Sequence, residues 1–197
     1  MWDDRYSHSE AAYGDNPNGF LVETVGQLRS GNVLCIAEGQ GRNAVWLAGQ
    51  GFDVTAMDQS PVGLEYARGL AKNRGVALDT EVGDLVDFDL GDEKWDNIVS
   101  IFGHLPSALR QSVHQRIERA LKPGGRLLIE AYRPSQIEAA GTGGPADVDM
   151  LLDLAKIEDE LPKLEPLVAR EVSREVNEGS YHHGMSDTVQ YVGRKPE

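Results

Sequence analysis

A glycine turn answered by a carboxylate carries the most legible chemistry in this sequence. Residues 33–43 read V-L-C-I-A-E-G-Q-G-R-N. Five apolar residues, a glycine-punctuated turn and then helix-compatible residues describe a buried parallel strand that hands over to a helix. Gly39 and Gly41 let the backbone approach a bound molecule, and the N–H groups that open the following helix face it. Asp58 closes the next apolar strand, 54–57, nineteen residues beyond Gly39. That is the separation at which a carboxylate caps a ribose hydroxyl pair in doubly wound nucleotide folds. The implied ligand is a nucleoside.

Proton-handling residues fall where a second reactant would meet it. Ligands of open α/β sheets bind outside the carboxyl ends of the strands. His104 follows the fourth predicted strand, and Glu130, Tyr132 and Gln136 lie at or past the end of the fifth. His104 and Tyr132 are candidates for direct contact with the reacting group, histidine being the natural proton acceptor near neutral pH. His182 and His183 are further candidates, in the loop E-G-S-Y-H-H-G at 178–184. Adjacent histidines on an extended loop point opposite ways and no second cysteine exists, so no metal site is expected. His8 and His114 receive no role, His114 being mid-helix. Cys35, inside the first strand, is expected to be a buried, inert thiol.

The elements that must position these groups alternate along the chain. Residues 17–28 carry Leu21, Val22, Val25 and Leu28 at helical spacing, and with the aromatic-rich lead before them they make a lid over the pocket the sharper of two readings, packing alone being the other. Tyr6, Tyr13 and Asn18 are its candidate wall residues. A helix over 42–50 ends at Gly51. Ser60 and Pro61 open a second helix, which Gly75 stops. A weaker strand at 76–82 ends in Gly83-Asp84-Leu85. A strand over 95–102 precedes a helix lined by Leu109, Val113, Ile117 and Leu121, and Lys122-Pro123-Gly124-Gly125 breaks it before a strand at 126–131. The alternation predicts an α/β fold with a parallel sheet and helices on both faces. Beyond the glycine-rich link 141–145, which includes Thr142, a helix is expected over 146–161. A terminal hairpin over 167–176 and 186–192 completes the chain.

At 197 residues the chain suits one domain, 1–197, with 1–30 as lid segment and 31–197 as core. It has 40% hydrophobic and 26% charged residues and no run long enough to span a bilayer, so a cytoplasmic protein without a membrane partner is expected. Its 32 acidic against 19 basic residues give a net charge of −13, which argues against a nucleic-acid partner. A small-molecule substrate, and a monomer or homodimer, remain.

Four motifs in register resemble the class I S-adenosylmethionine-dependent methyltransferases: A-E-G-Q-G-R-N after strand one, V-T-A-M-D at strand two, V-G-D-L at strand three and L-K-P-G-G-R before strand five. The resemblance covers nearly the whole chain. It implies a Rossmann-like doubly wound sheet with an antiparallel last strand, S-adenosyl-L-methionine as cofactor, S-adenosyl-L-homocysteine as product, and no metal. It also implies that Asp58 with Gln59 holds the ribose end, that Asp84 and Leu85 hold the adenine, and that the turn Glu38, Gly39, Gly41, Arg42 and Asn43 holds the methionine end. With the family topology, the loop bearing Glu178, Tyr181, His182 and His183 converges on the same rim. Tyr6, Tyr13, Glu130, Gln136 and Tyr181 are then candidate substrate contacts. The chain departs from the family pattern at Cys35, where an acidic residue is usual, and at Ala37, where glycine is usual. The carboxylate sits instead at Glu38, which is expected to face the ligand's ammonium group, capping the helix being the alternative. W-D-D-R-Y, Y-G-D-N-P-N-G-F-L and G-Q-G-R-N resemble the tellurite-resistance and thiol or chalcogen methyltransferase branch. Other small-molecule O- or N-methyl acceptors, a non-catalytic nucleoside-binding protein and an NAD-dependent oxidoreductase are the alternatives.

Overall fold

Strand β1, Asn32–Ile36, sends alternate side chains to opposite faces of a sheet, and both faces are covered. Leu34 and Ile36 enter one hydrophobic cluster, while Val33 and Cys35 enter the other. An uninterrupted apolar run is what a strand buried on both faces requires. The computed structural model describes residues 2–7, 13–139, 141, 143–179 and 181–197. His8, Thr142 and Ser180 lie outside the described residues.

The other strands are β2 Asp53–Asp58, β3 Asp79–Val82, β4 Trp95–Ile101, β5 Leu121–Tyr132, β6 Glu165–Asn177 and β7 His183–Arg194. They form one seven-stranded sheet in the order β3-β2-β1-β4-β5-β7-β6. β1 to β5 pair in parallel, and β7 runs antiparallel to both β5 and β6. The expected doubly wound sheet with an inserted antiparallel last strand is the sheet observed. The helices are α1 Trp2–Ser7, α2 Gly19–Thr24, α3 Arg42–Gly49, α4 Pro61–Arg74, α5 Ser107–Ala120 and α6 Leu154–Glu160. Phe20 and Leu21 of α2, Ala44 and Leu47 of α3 and Leu64 of α4 cover one face. Val113 and Ile117 of α5 and Ile157 of α6 cover the other. Strand order reverses between β1 and β4, so the loops leaving their carboxyl ends border a crevice.

Three boundaries differ from the sequence expectation. Lys122-Pro123-Gly124-Gly125 does not precede β5 but lies within it, at a register shift against β4. The amide of Gly124 donates to Lys195 O, and that of Lys195 to Gly125 O, so the C-terminal tail supplies the pairing that proline cannot. The long helix expected over 146–161 is a 3-10 turn, Val148–Met150, followed by α6. Asp147 and Asp153 each cap a separate start, and Leu152 N donates to Tyr132 O, which holds the residues between in extended form. The hairpin is longer than expected, and its connecting loop shrinks to 178–182.

Gly41 shows why the first turn needs glycine. Its φ is +86°, and a Cβ there would lie 2.5 Å from the Cβ of Ala67 on α4. Gly41→Ala is therefore expected to lower stability by roughly 2–4 kcal/mol, combining left-handed strain with overpacking. Urea unfolding measures it. A loss below half a kilocalorie per mole would show that α3 and α4 separate easily.

Candidate active site

The carboxyl ends of β1, β2 and β4, with the loop after β3, open into a cavity of about 670 Å³, within the range of small-molecule sites. Asp58 organises its near wall. Its Oδ2 accepts from Gly39 N at 2.8 Å, and its Oδ1 accepts from Ser60 N at 2.8 Å. The carboxylate thereby fixes the glycine turn and the start of α4, where Ser60 Oγ caps Gly63 N. Burial raises its pKa, opposed by the amides of Ser60, Gly39 and Gln59. Gln59, Asp84 and Leu85 line the same wall. Asp84 Oδ1 accepts from Val86 N, and the Leu85 carbonyl is held by the Arg116 guanidinium, so the β3 loop is pinned against α5.

Glu38 combines both roles open to it. It lines the cavity, and its Oε1 accepts from Asn43 N and Ala44 N, each at 2.9 Å, capping α3 in place of Gly41, which has no side chain to do so. Burial pushes its pKa up to about 7, against the pull of those two amides and Arg42. Ala37, just before it, has φ +51°, a left-handed conformation that accounts for the glycine usual there. Burial, with Glu38 next, also pushes the Cys35 thiol well up, which keeps it protonated.

Arg42 is not available to a ligand carboxylate in this arrangement. Its Nη2 donates to Glu178 Oε2 at 2.6 Å and its Nη1 to Asn16 O at 3.3 Å. It belongs to a buried cluster that sequence inspection did not anticipate. Arg174 on β6 donates from Nε to Glu130 Oε1 at 2.8 Å, and from Nη2 to Glu130 Oε2 at 2.7 Å and Glu178 Oε1 at 3.0 Å. Asn18 Nδ2 donates to Glu130 at 2.6 Å and to Glu178 at 3.0 Å, while its backbone N donates to Asn43 Oδ1. Thr188 and Gln190 complete the shell of Glu130. Burial would raise the Glu178 pKa, yet Arg42 and Arg174 hold it below the usual carboxylate range. No sequence signal marks Arg174, one of several charged residues alternating along an edge strand.

Several expected contacts are consequently corrected. Glu130 is fully buried with its oxygens committed to Asn18, Arg174, Thr188 and Gln190, so it anchors the fold and does not line the cavity. Gln136 ties Asp187 N to Gly141 O and is likewise away from the cavity. Tyr132 is buried behind Phe102, its ring stacked at 4.5 Å; burial, with Glu178 and Glu130 next, raises its phenol pKa. His183 is exposed at the first position of β7, opposite Asn177. His104 lines the cavity but has both ring nitrogens engaged: Nδ1 lies 3.0 Å from Phe102 O, and Nε2 accepts from Tyr132 N at 3.0 Å. Burial lowers its pKa to about 4, so it is a neutral brace and not a general base.

The far wall is aromatic. Tyr6, Tyr13, Tyr181 and His182 line it, joined by Trp2 and Phe102, which the sequence reading did not assign to the site. Tyr6 packs so close to Gly39 that a Cβ there would lie 2.5 Å from its hydroxyl. Tyr6 of α1 therefore sits over the glycine turn. Among the described residues no group of three or more His, Cys, Asp or Glu is arranged to hold a metal, and no helix is long and apolar enough to cross a membrane.

Residues 33–125 match a family model described as a methyltransferase domain. That match spans 93 of the chain's 197 residues. Over 105 residues it is 30% identical to 2-heptyl-1-hydroxyquinolin-4(1H)-one methyltransferase of Mycobacteroides abscessus, covering 52% of this chain and 46% of that protein. The chain spans less than half the length of the curated relatives it matches. The chain superposes on TehB from Haemophilus influenzae with a TM-score of 0.74 at 20% identity, over 90% of this chain and 62% of that one. It superposes on a structure concerned with conversion of a disulfide bond into a thioacetal group during echinomycin biosynthesis with a TM-score of 0.78 at 20% identity, over 99% and 90% of the two chains. At such identities these neighbours show the fold.

Removing Arg174 tests the cluster. Arg174→Met leaves buried Glu130 without its cation and Glu178 with Arg42 alone, and is expected to destabilise the protein by about 3–5 kcal/mol, against at most about 1 kcal/mol for Arg68→Met at the exposed pair with Glu65. Equal midpoints in urea for the two variants would contradict a structural role for the cluster.

Proposed function

We propose that this chain transfers the methyl group of S-adenosylmethionine to a small-molecule acceptor. The observation that carries the reading is the placement of Glu38, Asp58 and Asp84 at the ends of three successive strands around one cavity. Asp58 stands where ribose hydroxyls would be held, Asp84 and Leu85 where the adenine would lie, and Glu38 where an ammonium group would find a carboxylate. Bound there, S-adenosylmethionine supplies an electrophilic methyl carbon: an acceptor lone pair forms the new bond as the carbon–sulfur bond breaks, and its electron pair stays on sulfur. The protein's own part is to align the acceptor, exclude water and avoid stabilising the ground state.

The state of His104 narrows the acceptor. With both nitrogens bonded to backbone and a pKa near 4, it takes no proton from the acceptor. This favours an acceptor acidic enough to lose its proton to solvent beforehand, such as a thiol. A chalcogen oxyanion fits less well, because Arg42, the one Lys or Arg among the described residues lining the cavity, is already paired with Glu178.

Calorimetry with S-adenosylhomocysteine tests the reading. Saturable binding is expected, weakened about tenfold or more by Asp58→Ala, the loss expected for hydrogen bonds to a charged group. An ammonium beside Glu38 lowers its pKa from about 7 in the free protein, so the complex prefers the ionised form. Affinity is therefore full above pH 7 and falls as pH drops below it, by up to about tenfold per unit, and Glu38→Gln flattens that profile. Absence of binding sinks the cofactor assignment, and a flat wild-type profile sinks the role of Glu38.

A further inference from the structure

The cavity is divided by chemistry, and the division selects the acceptor. Its carboxylates, Glu38, Asp58 and Asp84, all belong to the half formed by β1, β2 and the β3 loop. The other half is walled by rings in continuous contact. Tyr13 lies 4.7 Å from His182 at 53° and 5.6 Å from Tyr181 at 45°, and His182 meets Phe102 edge-on at 4.5 Å. These rings come from the lead segment, the hairpin loop and the end of β4, three segments distant in sequence.

Phe102 is fixed in place before any ligand arrives. Its φ is +53°, a left-handed conformation rare for a bulky residue. Its amide donates to Glu130 O at 2.8 Å, and its ring is backed by Tyr132 at 4.5 Å and 15°. Such strain is held only where surrounding structure over-determines it, and it gathers at binding sites. The result is a rigid ring presented to the cavity over a second ring. Gly143 and Gly144 add backbone without side chains to the same half.

Charge excludes one class of occupant. No Lys or Arg among the described residues lines the aromatic half, and Arg42 in the other half is neutralised by Glu178. Three carboxylates share the cavity, and the chain carries a net charge of −13. An anionic group held away from the reacting centre would lose its hydration there without gaining a Lys or Arg partner.

From these observations we infer that the acceptor is a planar aromatic molecule that enters without a separate anionic group and lies among Tyr13, Phe102, Tyr181 and His182. The inference rests on the methyl-transfer reading for the word acceptor, while the aromatic site is testable without turnover. Aromatic pairs add about 0.5–1.5 kcal/mol beyond burial of area, so a flat ring is expected to bind about tenfold tighter than its saturated counterpart.

The test titrates 1-naphthol and decahydro-1-naphthol, both neutral, into protein saturated with S-adenosylhomocysteine, followed by calorimetry. The expected result is about tenfold tighter binding of 1-naphthol, with the preference reduced at least threefold in Phe102→Leu. Tyr181→Ala, at a position 44% exposed and so tolerant of truncation, is expected to reduce it as well. S-adenosylhomocysteine is kept saturating for each variant, so a change in its own affinity does not enter the comparison. Equal affinity for the two alcohols, a preference for the saturated one, or a preference that survives both variants overturns the inference. Methylation of tellurite in preference to thiophenol overturns it too. Failure of S-adenosylhomocysteine to bind in the preliminary titration refutes the methyl-transfer reading instead, and the naphthol comparison on the ligand-free protein then still decides the aromatic site.

Discussion

Two carboxylates and two guanidiniums buried together around Asn18 are the constraint on which the site depends. Glu130 belongs to β5, Arg174 to β6, Glu178 to the loop before β7, Arg42 to the start of α3, and Asn18 caps α2. No one of these charges is tolerable alone in the interior. Together they balance, and each carboxylate oxygen finds a partner among Asn18 and the two guanidiniums, with Thr188 and Gln190 closing the shell of Glu130. The cluster ties four sequence-distant segments into one arrangement, a matter of specificity as much as of stability.

The cavity follows from that arrangement. Glu178 fixes the loop that carries Tyr181 and His182, and Asn18 fixes α2 just after Tyr13, so the aromatic half is assembled by the charges behind it. On the other side Asp58 ties the glycine turn to the start of α4, and Glu38 caps α3. Both carboxylates are used by the fold and still line the cavity, where burial raises each pKa. A cationic ligand bound beside them would favour the ionised form of each.

Much of the sheet was legible because periodicity is a local signal. The unbroken run of β1 and the Ser60-Pro61 start of α4 state their structure within a few residues. The misread stretches are those in which distant partners decide. Lys122-Pro123-Gly124-Gly125 becomes strand because the C-terminal tail pairs with it, and 146–161 is divided because Leu152 bonds Tyr132. In the site, Asp58 and the glycine turn could be read from spacing, and the sequence named both outcomes for Glu38. Glu130 and His104 could not be read correctly: topology brings both to the right end of the sheet, but only the fold reveals that Arg174 consumes one and the backbone of Phe102 and Tyr132 the other. Phe102 carried no mark beyond a place before Gly103, since the sign of φ is invisible in residue type.

The most direct measurement is a crystal structure of the protein with S-adenosylhomocysteine. The expected result places the ribose hydroxyls on Asp58, the adenine beside Asp84 and Leu85, and the sulfur toward Phe102 and His182, with the Glu130–Arg174–Glu178–Arg42 cluster unchanged. Adenine seated in the aromatic half, or a ligand carboxylate that has displaced Glu178 from Arg42, would contradict the division of the cavity and the structural role of the charges behind it.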